Sequence, residues 1–268
     1  TPSSFSNSEN IKFAVKGDLA SYFYGQIDEV RIYDRAISAT EVMALYKGSK
    51  ATVVNKTDTS RLTNGLVGYW TFDGKNMYGT SALDISGNNN TGTLTNGPTA
   101  VIGKLGQALS FDGTDDYVNS NNVSLTGTFT VSWWYRNVGN SINGTMIGED
   151  SGVTGASPKI QTGPAGTTFF IRIVNGGSSD NTISLGTGNI WHHAVLTRDS
   201  SNKVDLYVDG GAPNRLYSDA AQVDTYTVDK FGANGDAAQL FKGAMDDIRI
   251  YNRALSASEV KQLYNMGR

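Results

Sequence analysis

The 268-residue chain has no cysteine, so neither a disulfide framework nor a thiolate metal site is open to it. Charge is sparse too. Only 18% of residues are charged, the net charge is −3, and Lys and Arg never cluster, which excludes a basic footprint for nucleic acid. No apolar run is long enough to cross a bilayer as a helix, so membrane insertion is not expected. The opening TPSSFSNSEN lacks the pattern of a leader and reads as the start of a mature chain or of a fragment. Histidine occurs only as the neighbours His192 and His193. There is no G-x-S-x-G, H-E-x-x-H or P-loop string to carry hydrolysis or nucleotide chemistry.

Glycine, by contrast, is abundant at 31 residues, and short runs rich in β-branched and aromatic side chains recur between Gly, Asn, Asp and Ser clusters. Such runs at 66–72, 107–111, 128–136, 168–174, 191–198 and 203–208 predict strands. Asp209-Gly210-Gly211 after the last of them is turn chemistry. Many strands with almost no helix between them argue an all-β, two-sheet antiparallel sandwich. One short helix stands out near the C-terminus. Ser256 and Glu259 form a capping-box pair, and Val260, Leu263 and Tyr264 fall on one helical face.

That closing phrase is written twice. GQIDEVRIYDRAISATEVMALY at 25–46 matches GAMDDIRIYNRALSASEVKQLY at 243–264, and the match extends without a gap over 12–48 and 230–266 with about half the residues identical. This is an internal repeat. It divides the chain into the C-terminal remnant of a preceding unit (1–48), a polar linker (49–62) and one complete domain (63–268). The remnant is the cut end of a tandem array, packs back on its own domain, or adds to a neighbouring molecule. The last would be a head-to-tail contact that can build a filament.

GLVGYWTFDG, LDISGNNNTGTL, GQALSFDGTDDYV, FTVSWWYR, WHHAVLTRD, LYVDGG and GAMDDIRIYNRALSASEVKQLY, in that order, resemble the laminin-G-like domains of the concanavalin A-like lectin/glucanase superfamily. The resemblance covers about 65–268, and 12–48 matches the end of the same domain. It implies a concanavalin A-like jelly roll, a secreted or cell-surface setting, and a binding or structural module rather than an enzyme. The partners it suggests are glycans or surface proteins, with one structural calcium. The glucanase members carry E-x-D-x-x-E on one strand. The five glutamates here (Glu9, Glu29, Glu41, Glu149 and Glu259) do not form it, so no catalytic residue is assigned.

Two candidate sites remain. Strand alternation puts Asp246 on an apolar face, where a carboxylate needs compensation, and calcium accepts such oxygens. Asp246 matches the calcium-holding aspartate of related enzymes by motif, and Asp112, Gly113, Asp116 and Asp84, with Asn90, offer further oxygens. The other reading makes these turn formers, with Asp246 paired to Arg249 or Arg253. For a ligand, Trp134 and Arg136 lie on the polar side of the run 129–136. There an indole could stack on a sugar ring beside a guanidinium, if Trp134 is exposed rather than half-buried at a sheet edge.

Overall fold

In the computed structural model the chain divides into two units, Thr1–Lys56 and Thr57–Arg268. The described residues are 62–138, 144–148, 159–162, 168–172, 181–184, 189–217 and 225–268 of the second unit, with 32–33, 35–39 and 42 of the first. Most of the expected remnant and linker therefore lies outside the described residues. Leu62, placed in the linker by sequence, is buried and belongs to the folded unit.

The second unit is all-β. Its described strands are β1 (Leu66–Trp70), β2 (Met77–Tyr78), β3 (Ser81–Ala82), β4 (Gly92–Thr95), β5 (Thr99–Ile102), β6 (Gln107–Asp112), β7 (Tyr117–Thr126), β8 (Phe129–Asn137) and β9 (Thr145–Gly148). They continue with β10 (Lys159–Thr162), β11 (Thr168–Arg172), β12 (Asn181–Ser184), β13 (Trp191–Arg198), β14 (Val204–Val208), β15 (Asn214–Tyr217), β16 (Thr225–Phe231) and β17 (Lys242–Tyr251). Helix α1 (Ala257–Met266) follows. One sheet runs β15-β14-β13-β8-β17-β6-β5, with β1 also on β17, and the other runs β12-β11-β10-β9-β16-β7-β4-β3-β2.

β17 is the strand on which the first sheet turns. One edge pairs with β8 along its length, while the other pairs with β6 over residues 242–245 and with β1 over 248–251. The phrase 243–264 thus sits at the centre of the fold. Alternation decides what each side chain meets. In β8, Phe129, Val131, Trp133 and Tyr135 face the second sheet and join the main core with Leu109, Phe111, Val118, Phe231, Ile248 and Ile250.

The opposite face of the first sheet is closed by α1. Val260 and Leu263 pack with Val195, Tyr207, Tyr251, Leu255 and Leu62 in a second core. Burying each such side chain contributes roughly 1.5–3 kcal/mol, which a ten-residue helix requires because it would not persist alone. Its start is fixed by the capping box: Ser256 Oγ accepts from Glu259 N, and Glu259 accepts from Ser256 N at 2.8 Å. Gly210, in the β14–β15 turn, has φ +65°, and a Cβ there would lie 2.6 Å from the Tyr264 ring. Glycine serves both the turn and the helix that passes over it.

Candidate functional site

The residues expected to form one calcium site fall in three separate places. Asp112, Gly113 and Asp116 lie where β6 of the first sheet passes into β7 of the second, and there Asp112, Asp115 and Asp116 each offer an oxygen within 4.8 Å of the others. This connection between the sheets orders itself through these acids. Asp112 Oδ1 accepts from Thr114 N at 2.7 Å, and Asp116 Oδ2 accepts from Asp112 N at 3.1 Å. The amide of Thr114 holds the Asp112 carboxyl below its ordinary value. Burial pushes that of Asp116 up, and the neighbouring charges of Asp112 and Asp115 push it further. Three carboxylates repelling one another in a short inter-sheet connection, all hard oxygen donors, suit a calcium ion.

Asp84 is elsewhere and saturated. Its two oxygens accept from Tyr69 N, Ser86 N, Ser86 Oγ and Asn90 N at 2.8–2.9 Å, so it organises the loop that pins β1. Asn90 completes the loop by donating to Val67 O, and its carbonyl accepts from the Trp70 indole.

Asp246 stands apart as well. On β17 it is four residues beyond Lys242, the partner of Asp112, which at ~3.4 Å per residue places it about 14 Å along the strand. It is fully buried, and Oδ2 accepts from Lys104 N and Leu105 N, both at 2.8 Å, while Oδ1 has no partner among the described residues. Burial pushes its carboxyl up to about 7. The expectation of one site joining Asp246, Asp84 and the 112–116 loop is corrected on this geometry, and so is the pairing of Asp246 with Arg249 or Arg253. Arg249 instead meets Asp247 and Tyr69, and Arg253 meets Glu259. Asp246 braces the β5–β6 turn against β17.

Trp134, expected on an open face, is buried at 1% exposure. The parity was read correctly, since it does lie opposite the main core, but α1 covers that face. Its ring lies 5.7 Å from Tyr264 and 4.8 Å from His193, with Lys104 Nζ over it. Gly267 completes the cover, since a Cβ there would lie 2.5 Å from the indole. His193 Nε2 bonds with Ser132 Oγ at 2.9 Å. Burial, then the charge of Arg249, pulls His193 down to about 3, so it packs as a neutral ring.

Arg136 differs from Trp134. It is half-buried, in register with Trp191 across the β8–β13 pair, and its guanidinium lies over the Trp191 ring at 5.3 Å. The row Trp134/His193 is roofed by Tyr264, and the next row, Arg136/Trp191, is half-open with exposed Ile190 and Val138 beside it. A half-open indole carrying a cation, next to polar strand ends, can stack on an apolar ring face and donate hydrogen bonds. Arg136 Nε is itself buried and has no partner among the described residues, so donation to a ligand would fall to the terminal nitrogens of the guanidinium. Trp191 was missed because its pairing with Arg136 is a matter of register between strands more than fifty residues apart. The loops 141–159 and 175–181, whose Gly, Ser and Asn content could frame a ligand site, fall largely outside the described residues.

His192 and Asp209 also came together unforeseen: Nδ1 lies 2.8 Å from Asp209 Oδ2, and Asp209 Oδ1 accepts from His193 N. The hairpin register that puts Val208 opposite Ala194 could have indicated it. No serine, threonine or cysteine is hydrogen-bonded to His192 among the described residues, and the dyad fastens the turn.

A family model of the concanavalin A-like lectin/glucanases superfamily, of the laminin G type, matches residues 112–261. Among curated proteins, adhesion G-protein coupled receptor V1 of Danio rerio is 25% identical over 152 residues, 53% of this chain and 2% of the receptor. Among solved structures, domain 4 of an extracellular arabinanase from Geobacillus stearothermophilus, in complex with arabinotriose, aligns over 74% of this chain and 98% of that one. Its TM-score is 0.56 at 19% identity. The binding domain of Paraclostridial Mosquitocidal Protein 1 aligns over 76% of this chain and 53% of that one, with TM-score 0.54 at 19% identity. These structures share the two-sheet sandwich.

Proposed function

This chain belongs to the concanavalin A-like lectin/glucanases superfamily, and on that premise we propose that its second unit is a non-catalytic binding module of a secreted or cell-surface protein that engages glycans. The observation that carries the reading is the half-open Arg136–Trp191 pair at the rim of the helix-covered face. The arabinotriose complex of the arabinanase domain and the adhesion receptor relative agree with it. Asp112, Asp115 and Asp116 would hold a structural calcium ion, which would relieve their mutual repulsion and tie the connection between the two sheets. A glycan array run in calcium tests the proposal. Binding lost in both Arg136→Ala and Trp191→Ala, with melting unchanged, supports it, and binding unaltered by either refutes the assignment of the site.

A second reading is favoured by a separate observation. Residues 12–48 repeat the sequence of the end of the domain, yet Ile32, Tyr33 and Val42 there are exposed. Uncovered apolar side chains of this kind suit self-association into a surface filament or adhesin. Sedimentation across a range of concentrations tests it, since Ile32→Asp should abolish any association.

A further inference from the structure

The fold itself shows what residues 32–42 are shaped to meet. Ile250, Tyr251 and Val260 occupy the matching places of the second copy. Ile250 and Tyr251 face the two cores on either side of the first sheet, and Val260 fastens α1 on its outer face. The described part of the first copy already has the same local geometry, since Val42 N donates to Ser38 O at 2.9 Å as Val260 N donates to Ser256 O at 3.0 Å. The remaining positions match in kind. Gly25 stands for Gly243, whose Cα admits no Cβ because one would lie 2.4 Å from Arg136 O. Asp28 stands for Asp246, the acceptor of two turn amides, and Tyr46 stands for Tyr264, the roof of Trp134.

We infer that residues 12–48 are a second, competing occupant of the slot that 230–266 fills, and that a second copy of this chain receives them by exchange. The inference deepens the filament reading and rests on it. Two mismatches set the order of preference. Gln26 would bring a long amide to the place of Ala244, which is buried opposite Arg136. Glu29 would replace Asp247, which sits at φ +50° in the β17 bulge, where aspartate is tolerated better than glutamate. The resident copy therefore holds the slot in an isolated chain. Exchange becomes favourable when chains are concentrated and the resident ribbon has been released. Each chain then offers one free ribbon and one slot, a head-to-tail contact that does not close on itself.

The lack of native cysteine makes this directly testable. Full-length Gln26→Cys is mixed with isotopically labelled full-length Arg136→Cys in a thiol–disulfide buffer and held in mild urea to release the resident ribbon. The mixture is returned to buffer, and cross-linked dimers are weighed by mass spectrometry. Position 26 meets 136 only in the register of Ala244 with Arg136. The expected result is a mixed 26–136 dimer several-fold above the share that random pairing gives. Adding Ile32→Asp to the donor chain should return it to random, and Val260→Asp in the acceptor should raise it. If the Val260→Asp chain fails to fold, the unaltered acceptor still decides. Random pairing in a chain that nevertheless self-associates overturns the exchange and leaves the filament reading standing. Random pairing in a chain that sediments as a monomer at every concentration overturns both.

Discussion

Ile250, Tyr251 and Val260 are 0%, 0% and 1% exposed, whereas Ile32, Tyr33 and Val42, their matches in the first copy, are 63%, 42% and 51% exposed. The two stretches carry the same amphipathic signal and the same capping pair, so the difference does not lie in local propensity. It lies in what surrounds them. The second copy is flanked by β8, β6 and β1 on its strand and by a second core under its helix. A short helix and one strand are marginal without such partners. The repeat separates a sequence's capacity for a structure from the burial that stabilises it.

Core truncation should separate the copies most sharply. Ile250→Ala is expected to destabilise the second unit by about 2–5 kcal/mol, while Ile32→Ala should stay within roughly 0.5 kcal/mol. Paired urea titrations measure both, and comparable losses would mean that the first copy is also covered. Calcium comes next. At a concentration a hundredfold above its dissociation constant, the ion should stabilise the domain by about 2.7 kcal/mol. Melting with calcium and with chelator should lose this difference in Asp112→Asn and Asp116→Asn but keep it in Asp246→Asn. Loss in Asp246→Asn alone would restore the site expected from sequence.

The caps should show a smaller effect. Ser256→Ala removes a bond that organises α1 and should cost about 1 kcal/mol. Ser38→Ala in the first copy should leave the main unfolding transition where it is.

Acid should loosen the second copy selectively. His193 takes up a proton near 6.5 when unfolded but only near 3 when folded, so the unfolded chain binds more protons between those values. Its contribution is present above 6.5 and is lost as pH falls toward 3. Glu259 acts in the same direction. Burial alone would raise it, but the bonds from Arg253 and Ser256 prevail and lower it from 4.5 to about 2, so its contribution fades as pH falls between those values. The urea midpoint of unfolding, followed by indole fluorescence, is expected to fall progressively as pH drops below 6.5. A midpoint constant from pH 7 down to pH 4 would contradict the assignment of a neutral, buried His193.

Much of the architecture was legible because it follows from spacing along one strand. Alternation alone sorted Phe129, Val131, Trp133 and Tyr135 into the core, and the serine–glutamate pair marked α1. The short strands β2, β3, β4, β5, β9, β10, β12 and β15 escaped, because two to four residues give too little alternation to read, and the longer β7 and β16 escaped as well, β7 because its Asn and Ser residues look like loop chemistry. The site was harder, since it depends on which element covers which face. Nothing local in FTVSWWYR says that a helix beginning more than 120 residues later will roof Trp134 and leave Arg136 half-open. The acids failed for a related reason. Asp84, Asp112 and Asp246 all look like oxygen donors in sequence, and only sheet order separates them.

The contrast between the copies is tested most directly by hydroxyl-radical footprinting of the intact chain, which reads side-chain exposure at Tyr33 and Tyr251 in one sample. The account predicts Tyr33 to be oxidised many times faster than Tyr251, with Ile32 and Ile250 following the same order. Equal, slow oxidation of the two tyrosines would show both copies covered and would contradict it.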